Sequence, residues 1–254
     1  MRRQILPFVA LLLPVPALAS GTGALNDTGI DFCRDLIGAG NVPITSTTTC
    51  PAAEGSQDAR YGRDAAAAQG VLAKTGGGSK GFDFTKIANN GTALPASALL
   101  GSNPTDWACT FDNTTGLMWE VKTTSGLRNQ TYTYSWLQSS GSYAGGTPNG
   151  GSCATPGRCD TEKFVADVNT VGLCGHSDWR LPTVDELFNL TDLGIGYPGP
   201  TIDASYFPNT LPAFYWTNSP DGLGYAWFVD FMFGYDLSNA ASAPSALRLV
   251  RVGR

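Results

Sequence analysis

The residues best suited to catalysis are few and poorly arranged for it. His176 is the only histidine, so a Ser-His-Asp or Cys-His mechanism would have to use it. It lies in a Gly/Ser loop two residues after Cys174, and that pair could bind zinc only as a thiolate and imidazole, whereas an exported chain favours disulfides. Asp185 and Glu186 are adjacent at a helix start, so they cannot face each other across a glycosidase cleft. We therefore predict that the protein is not an enzyme.

Aspartates near turns could supply oxygen ligands for calcium. No Asp-x-Asp-x-Asp-Gly loop organises them. We predict no cofactor, and only a structural role for any calcium. The candidate ligands are Asp27, Asp31, Asp112, Asp221 and Asp230.

Aromatic and basic side chains offer a better basis for ligand binding. Trp179 could stack on a sugar while Arg180 forks onto an anionic group. Arg248 and Arg251, near the C-terminal Arg254, could form a local anion site. Each has a structural alternative, which we favour: Trp179 fills the core, Asp178 and Arg180 pair or hold the loop backbone, and the C-terminal arginines line a solvated strand edge. The predicted ligand-binding set is Trp179, Arg180, Arg248 and Arg251, together with the loop 139–158.

The N-terminus predicts export. Arg2 and Arg3 precede an apolar run from Ile5 to Leu18, and small residues follow, so we expect a signal peptide over 1–19 with cleavage after Ala19. A membrane anchor is the alternative, but the run is short and contains three prolines. We expect no transmembrane segment, and a secreted, periplasmic or cell-surface location.

Charge disfavours polyanionic partners. The formal net charge is −5, and loss of the two leader arginines would make it −7. Long-range attraction to nucleic acid needs the opposite sign, so we predict no nucleic-acid partner.

Six cysteines in an exported chain predict a disulfide framework. Six cysteines allow fifteen pairings. Cys159 and Cys174 flank a predicted helix that is too long for a bridge between them. We therefore expect the pairs Cys33–Cys50, Cys109–Cys174 and Cys153–Cys159.

Composition divides the chain near residue 105. Residues 20–105 are rich in Gly, Ala, Thr and Asn and contain no tryptophan, which predicts an irregular appendage with short strand-like pieces such as 81–87. All six tryptophans lie in 106–254. There the sequence predicts an α+β domain that begins and ends in strands.

Local signals predict elements within that domain. A turn at 112–116 precedes a strand at 117–122, and a helix begins at Asp160 or Thr161 and ends at Gly172. Thr183 and Glu186 have capping-box spacing at the start of a second helix. A hairpin spans 214–233, with its second arm a central strand, and a last strand spans 247–252.

Four motifs in order resemble one known family. They are DNTTGLMW at 112–119, CGHSDWRLPTVDE at 174–186, YWTNS at 215–219 and RLVR at 248–251. They resemble the Lcl C-terminal domain family over about 106–254. The resemblance implies a C-type-lectin-like fold of antiparallel sheets with two helices, no catalytic residues, and binding of sulfated glycans by the collagen-like adhesin for which the family is named. This sequence differs from that adhesin in lacking a collagen tract and in being acidic.

Together these observations predict a non-enzymatic recognition module that binds a glycan or a cell-surface protein. The competing hypothesis is a structural subunit of an envelope or extracellular assembly, which would present a flat apolar patch and form homo-oligomers.

Overall fold

A computed structural model describes residues 24–31, 58–222 and 224–253. Within these ranges it contains three helices and eleven strands. The helices are α1 (Gly62–Ala68), α2 (Thr161–Val171) and α3 (Val184–Phe188). The strands are β1 (Phe84–Ala88), β2 (Ala93–Leu94), β3 (Trp107–Asp112), β4 (Leu117–Glu120), β5 (Leu137–Gln138), β6 (Gly145–Gly146), β7 (Phe214–Pro220), β8 (Tyr225–Asp230), β9 (Tyr235–Ala240), β10 (Ala246–Leu247) and β11 (Val250–Val252). The protein is thus of the α+β class, with mainly antiparallel sheets.

The first sheet has five strands in the order β11-β4-β3-β1-β2, and every neighbouring pair is antiparallel. β1 and β2 precede residue 106. β1 falls largely within 81–87, which the sequence predicted as a strand-like piece of the 20–105 segment, and its Phe84 and Ile87 are buried in the core. β1 forms because it pairs with β3, a contact between segments far apart in sequence that local composition does not reveal.

The second sheet has the order β10-β7-β8-β9. The predicted hairpin is confirmed as β7 and β8, and β8 is the central strand that its apolar composition indicated. β9 was not predicted; it pairs antiparallel with β8 and forms the sheet edge. The predicted last strand divides into β10, which is parallel to β7, and β11, which is antiparallel to β4.

Capping interactions define where α2 and α3 begin, and a glycine defines where α2 ends. The Asp160 side chain accepts a hydrogen bond from the Lys163 N–H at the start of α2, and Gly172 ends the helix with a left-handed φ of 66°. At α3, the Thr183 side chain and Glu186 form a reciprocal capping box. These caps satisfy backbone N–H groups that the first helical turn leaves unpaired.

Two apolar clusters form the core. One lies around Trp136, Trp179 and Trp216, and the other around Trp119 and Phe207. The bridge Cys109–Cys174 joins β3 to the segment after α2, and Cys153–Cys159 closes the loop before α2. Both pairings match the prediction. Cys33 and Cys50, like residues 1–19, lie outside the described residues.

The N-terminal segment 24–31 packs on the domain through polar contacts. The Asn26 side-chain amide donates to Asp112 Oδ2 at 2.6 Å, and Leu193 N donates to Thr28 O at 2.8 Å. Among the described residues, no helix has both the length and the apolar character needed to cross a membrane.

Candidate functional site

Two of the four predicted ligand-binding residues are inside the protein. Trp179 is 2% exposed, and its indole N–H donates to Leu173 O at 3.0 Å. Arg248 is 0% exposed, with Nη1 donating to Glu120 O at 2.8 Å and Nη2 to Thr210 Oγ1 at 2.6 Å. Neither side chain can reach a ligand in solution. The prediction of a shared binding surface is corrected accordingly, and the core alternative holds for Trp179.

Arg251 is also largely enclosed, at 8% exposure. Its Nε donates to Asp178 Oδ1 at 2.7 Å, and this hydrogen bond holds the pKa of the Asp178 carboxyl below its usual value. Val250 pairs with Trp119 on one side and with Arg180 on the other. The last strand is therefore not a solvated edge. Arg248 and Arg251 are both buried and form hydrogen bonds within the protein.

Arg248 belongs to a buried charge network. Glu120 Oε1 contacts Lys122 Nζ at 2.9 Å, and Glu120 Oε2 accepts from Leu249 N at 3.0 Å. Burial lowers the pKa of Lys122 to about 8, although Glu120 acts in the opposite direction. Buried charges are tolerated only when they are paired and hydrogen-bonded, so this network is structural.

Arg180 is the one member of the predicted set with an accessible side chain. Its guanidinium makes two hydrogen bonds with the Glu186 carboxylate, at 2.6 and 2.7 Å, so the predicted pairing of Arg180 with Asp178 does not occur. Burial acts to raise the pKa of Glu186, but hydrogen bonds from Arg180 and from the Thr183 backbone outweigh it and hold that pKa below its ordinary value. The capping box of α3 thus fixes the position of Arg180.

Arg180 lines a surface groove of about 290 Å³, which we call the Arg180 groove. Its floor is apolar, and amide, carboxylate and guanidinium groups stand around it. The complete lining is Trp136, Leu137, Gln138, Thr161, Glu162, Val165, Arg180, Leu181 and Asn218. An apolar floor with a few convergent polar groups is the usual composition of a small-molecule site.

The predicted loop 139–158 adjoins this groove at its start. Ser139 Oγ donates to Glu162 Oε1 at 2.7 Å, which ties the beginning of the loop to the groove rim. The loop is then pinned at its other end by Cys153–Cys159. The structure therefore brings together Arg180 and the start of the loop, but not the other three predicted side chains.

A larger cleft of about 490 Å³ lies on another part of the surface, beside the turn 123–128. Arg128 is its charged residue. Nη1 of Arg128 already donates to the carbonyls of Ala108 and Val121. The one charged side chain that lines this cleft is therefore hydrogen-bonded to the backbone of its own domain.

In the parts of the chain that the structure covers, no three His, Cys, Asp or Glu side chains lie close enough together to hold a metal ion. Of the predicted calcium ligands, Asp112 Oδ1 accepts from Thr114 N and Asp230 Oδ1 from Met232 N, both within turns. Burial, and secondarily Arg251, lowers the pKa of His176. This shift favours the neutral imidazole.

One sequence signal for catalysis was overlooked. Gly77-Gly78-Ser79-Lys80-Gly81 has the Gly-x-Ser-x-Gly spacing of a nucleophile elbow. An elbow requires a strand, a sharp turn and then a helix. Here Gly77 pairs with Phe84, and the segment between them is a turn that leads into β1, so the elbow context is missing.

Sequence reasoning also missed a surface of aromatic rings. Tyr197 stacks on Phe233 with centroids 5.0 Å apart and planes at 15°, and Phe233 stacks on Tyr235 at 5.9 Å and 14°. We call these three residues the aromatic row. Phe233 lies in the β8–β9 turn and Tyr235 begins β9, whereas Tyr197 comes from a separate loop, so no local sequence motif predicts the row.

The sheets, the helices and the two bridges define a disulfide-braced α+β domain. Residues 108–251, more than half of the chain, match the family described as the Lcl C-terminal domain. The chain belongs to the Lcl C-terminal domain family. A search of curated proteins finds no match.

Proposed function

We propose that this protein is an exported, non-enzymatic recognition module that binds a glycan or a surface partner, in the manner of an adhesin, through the Arg180 groove. Family membership supports a role in a surface or secreted protein and, with the antiparallel sheets, two capped helices and disulfides, a C-type-lectin-like architecture. Disulfides are typical of compartments outside the cytoplasm.

The observation that carries the proposal is the convergence of polar groups on a rigid apolar floor. Arg180 is held by Glu186, and Glu162 is held by Ser139. The Trp136 ring is fixed because its N–H donates to Thr217 O at 2.8 Å. Such a preorganised site loses little conformational entropy when a ligand binds. Sugar hydroxyls both donate and accept hydrogen bonds, and the groove offers donors and acceptors together.

The structural-subunit hypothesis has its own supporting observation. β9 is an edge strand whose other side pairs with no described strand, and Leu237 on it is exposed. Exposed strand edges template association between chains. β9 also carries Asp236, however, and a charge on an edge strand opposes such pairing.

The test is a glycan-array screen of the oxidised protein, with and without calcium and at two salt concentrations. The variant Arg180→Gln removes the groove's cation. Arg158→Gln is the matched control, because Arg158 pairs with Asp167 at similar side-chain exposure, 40% against 39% for Arg180, but does not line the groove.

We expect binding that Arg180→Gln weakens and Arg158→Gln does not. Salt sensitivity would identify an anionic glycan. Equal binding by both variants, or no binding by oxidised protein, would contradict the proposal. In the latter case self-association that depends on β9 would favour the structural subunit.

A further inference from the structure

The aromatic row presents ring faces to solvent. Tyr197 is 69% exposed, Phe233 53% and Tyr235 38%. Carbon atoms in contact lie about 3.5–4.0 Å apart, so centroid distances of 5.0 and 5.9 Å mean that the parallel rings are offset. Offset stacking leaves part of each ring face uncovered. Exposed contiguous aromatic surface marks interaction sites.

The row is held in place by backbone as well as by ring stacking. Thr201 N donates to Phe231 O at 2.8 Å, which joins the Tyr197 loop to the β8–β9 turn. Gly199 lies between them at a φ of +67°, and a Cβ there would come within 2.6 Å of Phe231 O. At the other end, Tyr235 is fixed by its pairing with Asp230 in the β8–β9 ladder. The three rings therefore form a preorganised platform.

The charge around the platform restricts its ligand. Asp230 pairs with Tyr235 in the β8–β9 ladder and Asp236 follows Tyr235 on β9, so the charged residues beside the row on these two strands are acidic. Lys80 reaches the neighbouring loop, where its Nζ forms an ion pair with Asp192 Oδ1 at 2.8 Å. A sulfated or otherwise anionic chain would meet like charge here without a counter-ion.

We propose that the aromatic row is a binding site for a neutral polysaccharide. The C–H face of a pyranose ring is apolar and packs against the electron-rich face of an aromatic ring, and uncharged hydroxyls suffer no repulsion from the surrounding acids. Successive sugars of a chain can then contact successive rings. The site lies at the β8–β9 end of the second sheet, whereas Asn218 of the Arg180 groove lies toward the opposite end of β7, so this proposal does not depend on the groove.

Affinity electrophoresis tests the proposal. Oxidised protein is run in native gels that contain hydroxyethylcellulose, galactomannan or xylan, with heparin as the anionic comparison. We expect retardation by at least one neutral polysaccharide, and any retardation by heparin at physiological salt should be the same in the wild type and in variants of the aromatic row. Tyr197→Ala and Phe233→Ala should each weaken binding roughly ten-fold. Gly199→Ala should weaken it without removing a ring.

Controls separate the row from other sites. Tyr225→Ala removes an aromatic ring of similar exposure, 49%, outside the row and should bind as the wild type does. Retardation that Arg180→Gln removes and the aromatic-row variants leave intact would place the polysaccharide in the Arg180 groove and overturn the proposal, so failure of the groove and failure of the row are distinguishable. The proposal is overturned if no neutral polysaccharide retards the protein, or if Tyr197→Ala and Phe233→Ala bind normally. It is also overturned by a solution dimer that Phe233→Ala disrupts, because the row would then contact a second copy.

Discussion

Replacing Glu120 by glutamine should test the buried charge network most severely. Glu120 is fully buried and is hydrogen-bonded to the Lys122 ammonium at 2.9 Å and to Leu249 N at 3.0 Å. Glutamine keeps the size of the side chain and can still accept from Leu249. The negative charge and one acceptor are lost, because the amide nitrogen that then faces the Lys122 ammonium can only donate. The cationic groups of Lys122 and Arg248 would then be buried without a carboxylate.

The size of the effect follows from what each cation can do. Lys122 has a pKa of about 8 with Glu120 charged, and loss of that charge lowers it further, so at pH 7 the ammonium can release its proton at a cost of at most about 1.4 kcal/mol. Arg248 cannot deprotonate. Loss of one partner of a buried ion pair generally costs about 3–5 kcal/mol. Because Lys122 can become neutral in the variant, we expect the loss of unfolding free energy to lie at the lower end of this range, at about 3 kcal/mol.

Urea unfolding of oxidised protein at pH 7 measures this loss as a shift in midpoint at constant slope. The double variant Glu120→Gln/Lys122→Met removes the stranded ammonium and should recover at least about 1 kcal/mol of the loss. A change below about 0.5 kcal/mol for Glu120→Gln, the range of ordinary surface substitutions, would refute the assignment of Glu120 as the counter-charge of this core.

Two further predictions concern stability. Because the pKa of Lys122 is lowered in the folded state, the unfolded chain binds more protons than the folded protein between about pH 8 and 10.5. The unfolding free energy of the wild type should therefore rise by up to about 3 kcal/mol relative to that of Lys122→Met as the pH rises through that window. A difference in urea midpoints that does not change with pH would contradict this. The disulfides should contribute according to loop length: replacing Cys109 and Cys174, 65 residues apart, by alanine should cost about 4 kcal/mol, against about 2 kcal/mol for Cys153 and Cys159, six apart. Equal losses in calorimetry would argue against the loop-entropy account.

Features set by neighbouring residues were predictable from the sequence. The caps of α2 and α3 depend on side chains within three residues of the helix start, Asp160 and Thr183. The two disulfides within the described residues followed from helix length and bridge geometry. The β7–β8 hairpin followed from turn residues between apolar runs.

Features set by distant contacts were not predictable in the same way. Arg248 looked like a surface charge because the groups that enclose it are distant in the sequence; its guanidinium donates to the backbone carbonyl of Glu120, 128 residues earlier on another strand. The pairing of β1 with β3 in the core was not predictable, because β3 begins after the composition changes. The aromatic row joins residue 197 to residues 233 and 235 through loop packing. Arg180 remained accessible, but its partner is Glu186 and not Asp178.

The central claim is that ligand recognition takes place in the Arg180 groove. Its most direct test is the chemical-shift response of ¹⁵N-labelled oxidised protein titrated with the best array ligand. The account predicts shifts at the side-chain amides of Gln138 and Asn218 and at the backbone amides of 180 and 181, absent in Arg180→Gln. Saturation without movement of these signals, or with shifts confined to other surfaces, would contradict it.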